Sequence, residues 1–483
     1  MNCKFIEEPE LQFGISVHID MKFGIMNYGV LDFDQENAPR QVKLGLIGIN
    51  EDLELLQSWL EDCSKEIEAK TSNKKNLFAR FPGFNEKTAF YSKVITNSAN
   101  QRLLRKSEID DISRIRESDI KIKEAVDLFV SQIEYLAENQ HQIDVIICAI
   151  PKAFTYGMYY VEDTEDSEEE EQEFISSKKT IDFRRLLKAK SLRFRIPIQI
   201  ILPHTYNEKV KKRVRIRPNS EGSLQDKATR AWNFFTALYY KSGGTPWQLI
   251  KKSNDLQSCY IGISFYKSLD EKSIHTSTAQ IFNERGEGLI IRGGEAKHSQ
   301  EDLQIHLDAE EAEKIITKSL QKYKQEHYNL PARVTIHKTT DYNQAEIDGF
   351  ISALRNAGIE FFDFLSFSKS MLRLHRNGNY PPLRGTFWDI DEETKIIYTR
   401  GSVDFFQTYP GLYIPRSLKM RVSYTEQSPF SLAREVLSLT KMNWNNTQFD
   451  NSLPITIKAA RQVGDILKYI ESEEYESNYC FYM

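Results

Sequence analysis

A dense group of basic side chains surrounds one short apolar segment near the middle of the chain. Residues 184–217 contain twelve lysines and arginines against one acid, Glu208. These charges flank the apolar run 196–202 and do not form a low-complexity tail. Ammonium and guanidinium groups gathered in this way attract phosphate oxygens. The pattern predicts a phosphate-binding surface beside a sheet, although the whole chain has a net charge of −5.

The other chemically active residue types are scattered. The five cysteines form no CxxC pair, and the nine histidines form no HExxH or HxH cluster. Cys148 and Cys259 stand in apolar runs, which predicts buried thiols. Neither a disulfide framework nor a zinc site is indicated. Residues 162–173 hold nine acids, which predicts a disordered surface loop.

Length and composition are those of a multidomain globular protein. The 483 residues correspond to roughly two to four domains. A content of 40% hydrophobic and 28% charged residues is ordinary for a soluble chain. No apolar run reaches the ~20 residues that a membrane span requires, and the first residues lack the core of a signal peptide. We therefore expect a cytoplasmic protein with no membrane partner.

Strands and helices alternate in the first half of the chain. The predicted strands are 42–49, 143–150 and 198–202, and the predicted helices are 52–69, 118–138, 182–190 and 226–240. Such alternation predicts an α/β fold with a parallel, doubly wound sheet.

The spacing changes after residue 255. Strands are predicted at 260–266, 276–282 and 288–291 before the first helix of this half, 309–326. Alternation then resumes with strand 333–337, helix 345–356, strands 361–366 and 396–399, and helix 429–441. Several strands in a row followed by alternation is the order of an RNase-H-like fold.

Residues 225–266 carry the most specific pattern in the chain. An amphipathic helix ends at Gly243-Gly244, and Pro246-Trp247 and an apolar strand follow. This stretch resembles the junction between the MID and PIWI domains of prokaryotic Argonautes. Further motifs in the order of that family are IPIQII at 196–201, IHKTT at 336–340 with Glu346 downstream, LRGT at 383–386, IYTRG at 397–401, LTKMNWN at 439–445 and PITIKAA at 454–460.

The resemblance implies a domain organisation. A linker and strand segment occupies 1–40, a Rossmann-like MID domain 41–245, and an RNase-H-like PIWI domain 246–483. Because 483 residues leave no room for N and PAZ domains, the chain is similar to the short prokaryotic Argonautes.

The resemblance also implies that the PIWI domain does not cut. Slicing Argonautes hold two metal ions with a first aspartate, a glutamate, a second aspartate and a final aspartate or histidine. Carboxylates serve here because they offset the charge of the closely spaced cations. The first aspartate falls on Ser264, the second aspartate on Lys338, and the final ligand on Ala459 or Ala460. Glu287 or Glu295 could supply the glutamate, but one acid cannot hold two metals.

The guide-binding residue types, in contrast, are present. In the family, a MID pocket binds the 5′-phosphate of the guide, often with Mg²⁺ and the C-terminal carboxylate. The matching residues are Arg184, Lys188, Gln199, Lys227, Lys241 and Met483. A second basic group, Lys369, Arg373, Arg376 and Arg384, is expected to contact the backbone of the guide and target.

Two functions are compatible with these residues. The first is an inactive Argonaute that uses a guide RNA to recognise invading single-stranded DNA. It would activate an APAZ-containing effector, which could be a TIR-type or sirtuin-type NADase or a nuclease. The second is an autonomous nuclease with a non-standard metal site, for example Glu287, Glu295 and Asp389.

Overall fold

Two large sheets, of four and ten strands, organise the chain. The computed structural model describes residues 2–74, 76–139, 142–155, 181–210, 212–213, 221–222, 225–250, 256–282, 287–377, 381–411, 414–470 and 476–483. The acidic run 162–173 lies outside the described residues, as does part of the basic run.

The N-terminal segment is built into the fold. It forms β1 (Asn2–Phe5), β2 (Leu11–Gln12), β3 (Val17–His18) and α1 (Met21–Tyr28). Helix α1 was not predicted, because Gly24 and Gly29 disrupt its apolar pattern. The Asp20 carboxylate begins the helix by accepting from the Phe23 amide at 2.9 Å.

The four-stranded sheet follows in the chain. Its strands are β4 (Gln41–Gly48), β5 (Lys93–Leu103), β6 (Val145–Ala149) and β7 (Ile198–Ile201), and its principal helices are α2 (Asn50–Asp62), α3 (Lys106–Arg114), α4 (Ser118–Asn139), α5 (Lys152–Thr155), α6 (Phe183–Ser191), α7 (Pro203–Tyr206) and α8 (Lys227–Lys241). A short pair, β8 (Lys212–Arg213) and β9 (Glu221–Gly222), precedes α8. The sheet order is β5-β4-β6-β7 and every pairing is parallel. Apolar residues of α2 and α8 cover one face, and those of α4 and α6 cover the other. This confirms the predicted doubly wound, Rossmann-like architecture.

Two local predictions in this half were wrong. Helix α2 ends at Asp62 and not at 69, because Ile67 forms a bridge with Phe81. Strand β5 and helix α3 were missed, since β5 is mostly polar and its burial does not alternate.

The ten-stranded sheet occupies the second half. Its elements, with β10 standing in a separate small sheet, are β10 (Gln248–Leu249), β11 (Ser258–Lys267), β12 (Ile274–Phe282), β13 (Glu287–His298), β14 (Ile305–His306), α9 (Ala309–His327), β15 (Arg333–Lys338), α10 (Gln344–Asn356), β16 (Phe361–Lys369), β17 (Thr386–Asp389), β18 (Thr394–Ile397), β19 (Leu418–Tyr424), α11 (Pro429–Leu439) and α12 (Ile455–Leu467). The order is β1-β17-β18-β19-β16-β15-β11-β12-β13-β14, so β1 reaches this sheet from the N-terminus. Strands β11, β15 and β16 are mutually parallel at its centre. The predicted RNase-H-like order is confirmed.

Helix α12 lies closely against the centre of this sheet. A Cβ atom added at Gly262 of β11 would lie 2.1 Å from the carbonyl oxygen of Thr456. The absence of a side chain at Gly262 therefore sets how near α12 approaches β11. The opposite face is covered by α9 and α10.

We expect Gly262→Ala to destabilise the protein by about 1–3 kcal/mol, because the new methyl group meets backbone that cannot shift alone. Gly45→Ala on β4 is the control, since its nearest neighbours are side-chain atoms of Ile146 and Leu136 at 3.1 Å. Urea unfolding of both variants measures the difference. A loss at Gly262 no larger than the loss at Gly45 contradicts the packing described.

Candidate nucleic-acid interface

Four segments bring polar groups together at the C-terminal end of α8. Lys188 on α6 is 3% exposed, and its Nζ donates to the carbonyl oxygen of Tyr482 at 3.0 Å. Lys241, the last residue of α8, donates from Nζ to the Ile198 carbonyl oxygen at 3.0 Å and to Gln199 Oε1 at 2.5 Å. The predicted set Lys188, Gln199 and Lys241 is thus assembled in one place.

Burial disfavours the charged form of the two ammonium groups in this site. Burial, followed by the charges of Arg184 and Lys241, lowers the pKa of Lys188 well below its usual range. Burial and then Arg184 lower the pKa of Lys241 to about 7. Their hydrogen-bond acceptors are neutral carbonyl and amide oxygens, and no salt bridge joins either lysine to a carboxylate among the described residues. The site is therefore suited to an anion.

The C-terminal residues form one wall of the site. The Ile290 amide donates to the Ser477 carbonyl oxygen at 2.5 Å, and the Tyr479 hydroxyl donates to Gln462 Oε1 at 3.1 Å. These bonds tie residues 476–483 to β13 and α12. Met483 is buried beside Tyr482. The predicted role of the Met483 carboxylate at a Mg²⁺ ion stays a prediction. The two lysines that converge here cannot ligate a metal ion while they are protonated, because an ammonium group has no acceptor.

Arg184 and Lys227 have different relations to the site. Arg184 is exposed on α6, and its charge acts on both buried lysines, so it lies beside them. Lys227 begins α8, and 14 residues separate it from Lys241, which is about 21 Å along the helix. Its Nζ pairs with Glu208 at 2.9 Å. The structure does not bring Lys227 to the phosphate site, contrary to the prediction.

Ser264 lies on the face of the ten-stranded sheet that α12 covers. It stands two residues beyond Gly262 on β11, and alternate residues of a strand share one face. On the neighbouring strand, His337 pairs in register with Gly262, and its Nδ1 lies 2.7 Å from Thr456 Oγ1 of α12. Ser264 is buried there.

Lys338 lies on the opposite face of this sheet. It pairs with Ile263, and its Nζ lies 5.5 Å from the centre of the Phe265 ring. The ammonium group contacts Glu346 at 2.6 Å, within a buried cluster that includes His306. Burial lowers the pKa of Lys338, against the attraction of Glu346. The prediction that Lys338 occupies the second metal-binding position was wrong.

Thr339 is the residue that faces Ser264 from the next strand. Its amide donates to the Ile263 carbonyl oxygen at 3.2 Å, and as the residue after Lys338 it points to the α12 side. Its Oγ1 is buried without a hydrogen-bond partner among the described residues. On α12, Ala459 and Ala460 are buried in the cluster that contains Tyr266. This face therefore presents hydroxyl and methyl groups.

The alternative metal site is not assembled. Glu287 and Glu295 lie eight residues apart on β13, about 27 Å along the strand. Asp389 on β17 is seven strands away from β13, or about 33 Å, and pairs with Lys395. Across the described ranges, no group of three or more histidine, cysteine, aspartate or glutamate side chains could hold a metal ion.

The second basic group is divided between surface and interior. Lys369 ends β16, and Arg373 and Arg376 follow it in a surface loop. Arg384, in contrast, is 2% exposed. It pairs with Glu8 at 2.9 Å and donates to Thr440 Oγ1 at 2.7 Å. The prediction that Arg384 contacts nucleic acid was wrong, because its guanidinium group fixes the N-terminal segment.

Solved Argonaute structures share this arrangement. The Clostridium butyricum Argonaute with a guide DNA and a 19-mer target DNA matches at a TM-score of 0.66 and 16% identity, over 97% of this chain and 53% of that chain. The Marinitoga piezophila Argonaute with a 5′ OH guide RNA matches at 0.56 and 14%, over 100% and 59%. Drosophila Piwi matches at 0.60 and 11%, over 100% and 56%. The chain has the MID and PIWI fold of an Argonaute.

The likeness concerns the fold and a little more than half the length of those proteins. No family model and no curated protein matches the sequence. The four-stranded sheet is the MID fold and the ten-stranded sheet is the RNase-H-like PIWI fold. No helix in the described part of the chain is long and apolar enough to cross a membrane.

Sequence reasoning missed one residue of the PIWI face. In the motif IHKTT, the position that shares the face of Ser264 is Thr339 and not Lys338. The strict alternation of a strand could have shown this, because Ile336 and Lys338 share one face while His337 and Thr339 share the other.

We expect Arg384→Ala to destabilise the protein by about 3–5 kcal/mol, because it removes a cation from a buried charge cluster. The matched control is Arg373→Ala, an exposed arginine expected to change stability by less than about 0.5 kcal/mol. Urea unfolding gives both values. Similar small losses of unfolding free energy for the two variants would contradict the buried position of Arg384.

Proposed function

We propose that this chain is a guide-directed nucleic-acid-binding module that recognises the 5′-phosphate of a guide RNA. The observation that carries the proposal is the buried group of Lys188, Gln199 and Lys241, which has no carboxylate partner among the described residues. A complementary single-stranded DNA would pair with the guide bases. The nucleic acids in the matching Argonaute structures support this choice of ligand.

The site recognises a terminal phosphate through charge. Such a group carries nearly two negative charges and three acceptor oxygens. When it enters, Lys188 and Lys241 can exchange neutral acceptors for anionic ones, and Gln199 can donate from its amide nitrogen. Arg184 stands at the exposed side and can contact the phosphate or stack on the first base. A Mg²⁺ ion would have to be held by phosphate oxygens and the Met483 carboxylate, and recognition by the lysines does not depend on it.

The PIWI face supports binding without cleavage. Two-metal hydrolysis needs carboxylates that hold the cations, and Ser264, Thr339 and Ala459 supply none. We therefore propose that the chemical output resides in a partner. The resemblance to short Argonautes favours an APAZ-containing effector, a TIR-type or sirtuin-type NADase in the first place and a DNase in the second. Target binding in the cytoplasm would activate this effector, which would act against invading plasmids and abort phage infection.

Lys188→Ala and Gln199→Ala are expected to weaken binding of a 5′-phosphorylated guide by about tenfold or more, because each removes a charge-assisted contact of about 1.5–3 kcal/mol. Binding of the same guide with a 5′-hydroxyl should change much less. Lys227→Ala is the matched control, because Lys227 lies at the far end of α8. Filter binding measures all six combinations. Equal losses for the two guides mean that Lys188 and Gln199 are only structural.

The preference for a phosphorylated guide is expected to fall as the pH rises above about 7, where the unoccupied Lys241 loses its proton. An anion raises the pKa of the ammonium group, so binding takes up a proton. The affinity ratio of the two guides should then decrease by up to about tenfold per pH unit toward pH ~9. The phosphate itself, with a second pKa near 6, stays dianionic there. In Lys241→Met the ratio should be lower and should vary less with pH, because only Lys188 can still take up a proton. A constant ratio in the unmodified protein contradicts the proposal.

Alone with guide and target, the chain is expected to leave the target DNA intact in Mg²⁺ or Mn²⁺, and Ser264→Asp should not restore cutting because one carboxylate cannot hold two metals. Co-purified with an APAZ-containing effector, it should cause loss of NAD⁺ or of DNA only when both guide and target are present. Gel analysis of labelled target and an NAD⁺ assay measure the two outputs. Guide-dependent cleavage that EDTA abolishes would refute the first part, and an effector that never associates would refute the second.

A further inference from the structure

A strongly exposed methionine stands at one edge of the PIWI sheet. Strand β16 ends at Lys369, and the following residues 370–377, here called the methionine loop, run along the surface. Met371 is 91% exposed and Leu372 is 40% exposed. A side chain exposed to this degree adds little burial to the fold, and together with Leu372 it leaves an apolar spot that is accessible to a ligand.

The methionine loop is held in place by its backbone. The Ser370 amide donates to the Ser417 carbonyl oxygen at 3.2 Å, and the Ser417 hydroxyl donates to the Leu372 carbonyl oxygen at 3.2 Å. The Leu374 amide donates to the Tyr398 hydroxyl at 2.6 Å. Ser370 itself is buried. Met371 is therefore presented from a fixed backbone, so contact with a ligand requires little ordering of the backbone.

The residues on both sides of Met371 in the sequence are basic or uncharged. No aspartate or glutamate occurs between Asp363 and Asp389, whereas this stretch holds Lys369, Arg373 and Arg376. The segment around Ser417, which is hydrogen-bonded to the loop, is also free of acids between Asp404 and Glu426 and contributes Arg416 and Lys419. The segment around Tyr398, which bonds to the loop as well, carries acids at 391–393. The basic charge of the loop and of the Ser417 segment complements a polyanion.

The loop also lies near the sheet face that carries Ser264 and Thr339. Strands β11, β15 and β16 are parallel, so their C-terminal ends share one edge of the sheet. Thr339 follows β15 directly and lies opposite Phe367 of β16, because Lys338 pairs with Ser366. The loop begins three residues further along β16, about 10 Å beyond that position. A duplex that lies across this edge of the sheet can therefore contact both.

We propose that Met371 contacts the bases of the guide–target duplex, while Lys369, Arg373 and Arg376 contact the flanking phosphates. Apolar side chains flanked by arginine and lysine pack on base edges or between base steps in this manner, where the wide minor groove of an A-form hybrid is open to them. The inference rests on the proposed function and adds a residue that senses base stacking in the duplex.

Salt dependence separates the two kinds of contact. We expect Met371→Ser to weaken binding of a 5′-phosphorylated guide RNA annealed to complementary DNA by about fivefold to tenfold, with no change in the slope of log Kd against log salt. Arg373→Ser should lower that slope by about one, because one phosphate contact is lost. Leu303→Ser, an exposed apolar residue on the β13–β14 connection, is the control and should change neither value.

A base analogue locates the contact. With 2-aminopurine placed in turn at each target position, one or two positions should change fluorescence on binding, and Met371→Ser should remove that change. Wild-type duplex affinity for Met371→Ser overturns the inference, and so does a changed salt slope. Loss of effector association at unchanged duplex affinity also overturns it, since the loop would then be a protein-docking site. If the unmodified protein binds neither guide nor duplex, the proposed function itself fails.

Discussion

The structure depends on two lysine ammonium groups that are buried side by side without a carboxylate partner among the described residues. Three parts of the fold meet to hold them: α6, the C-terminal end of α8 beside β7, and residues 476–483. The helix end and the carbonyl groups around it stabilise positive charge only in part, so burial keeps both pKa values low. Entry of an anion would restore their charge, which suits the site to the phosphate that we propose as its ligand.

The same C-terminal residues connect this receptor to the PIWI sheet. Ser477 and Tyr479 contact β13 and α12, while Tyr482 accepts from Lys188. Helix α12 in turn lies against Gly262, two residues before Ser264. The proposed phosphate site and the sheet face that carries Ser264 and Thr339 are therefore parts of one packed unit. The Argonaute-like fold thus joins the proposed guide-phosphate site to a sheet face on which Ser264, Thr339 and Ala459 offer no carboxylate.

The sequence allowed much of this to be predicted, for physical reasons. Alternating apolar strands and helices predicted the central parallel strands of both sheets, whereas β5 and most edge strands of the larger sheet were missed. Lys188, Gln199 and Lys241 stood on elements whose ends meet. The failures were of two kinds. Lys338 was placed on the wrong face because a one-residue error reverses the direction of a strand side chain. Arg384 and Lys227 were assigned by charge alone, and charge does not reveal that Glu8, 376 positions away, neutralises Arg384 or that Lys227 begins α8 and does not end it.

If an anion is the ligand of the two buried lysines, they take up protons when it binds. The number of protons bound together with the guide therefore tests this most directly. Calorimetric titrations at pH 8 in buffers of different ionisation enthalpy give the number of protons bound with the guide. We expect uptake of about one proton or more with a 5′-phosphorylated guide RNA and a much smaller uptake with a 5′-hydroxyl guide. The same uptake for both guides, or none for either, would contradict it.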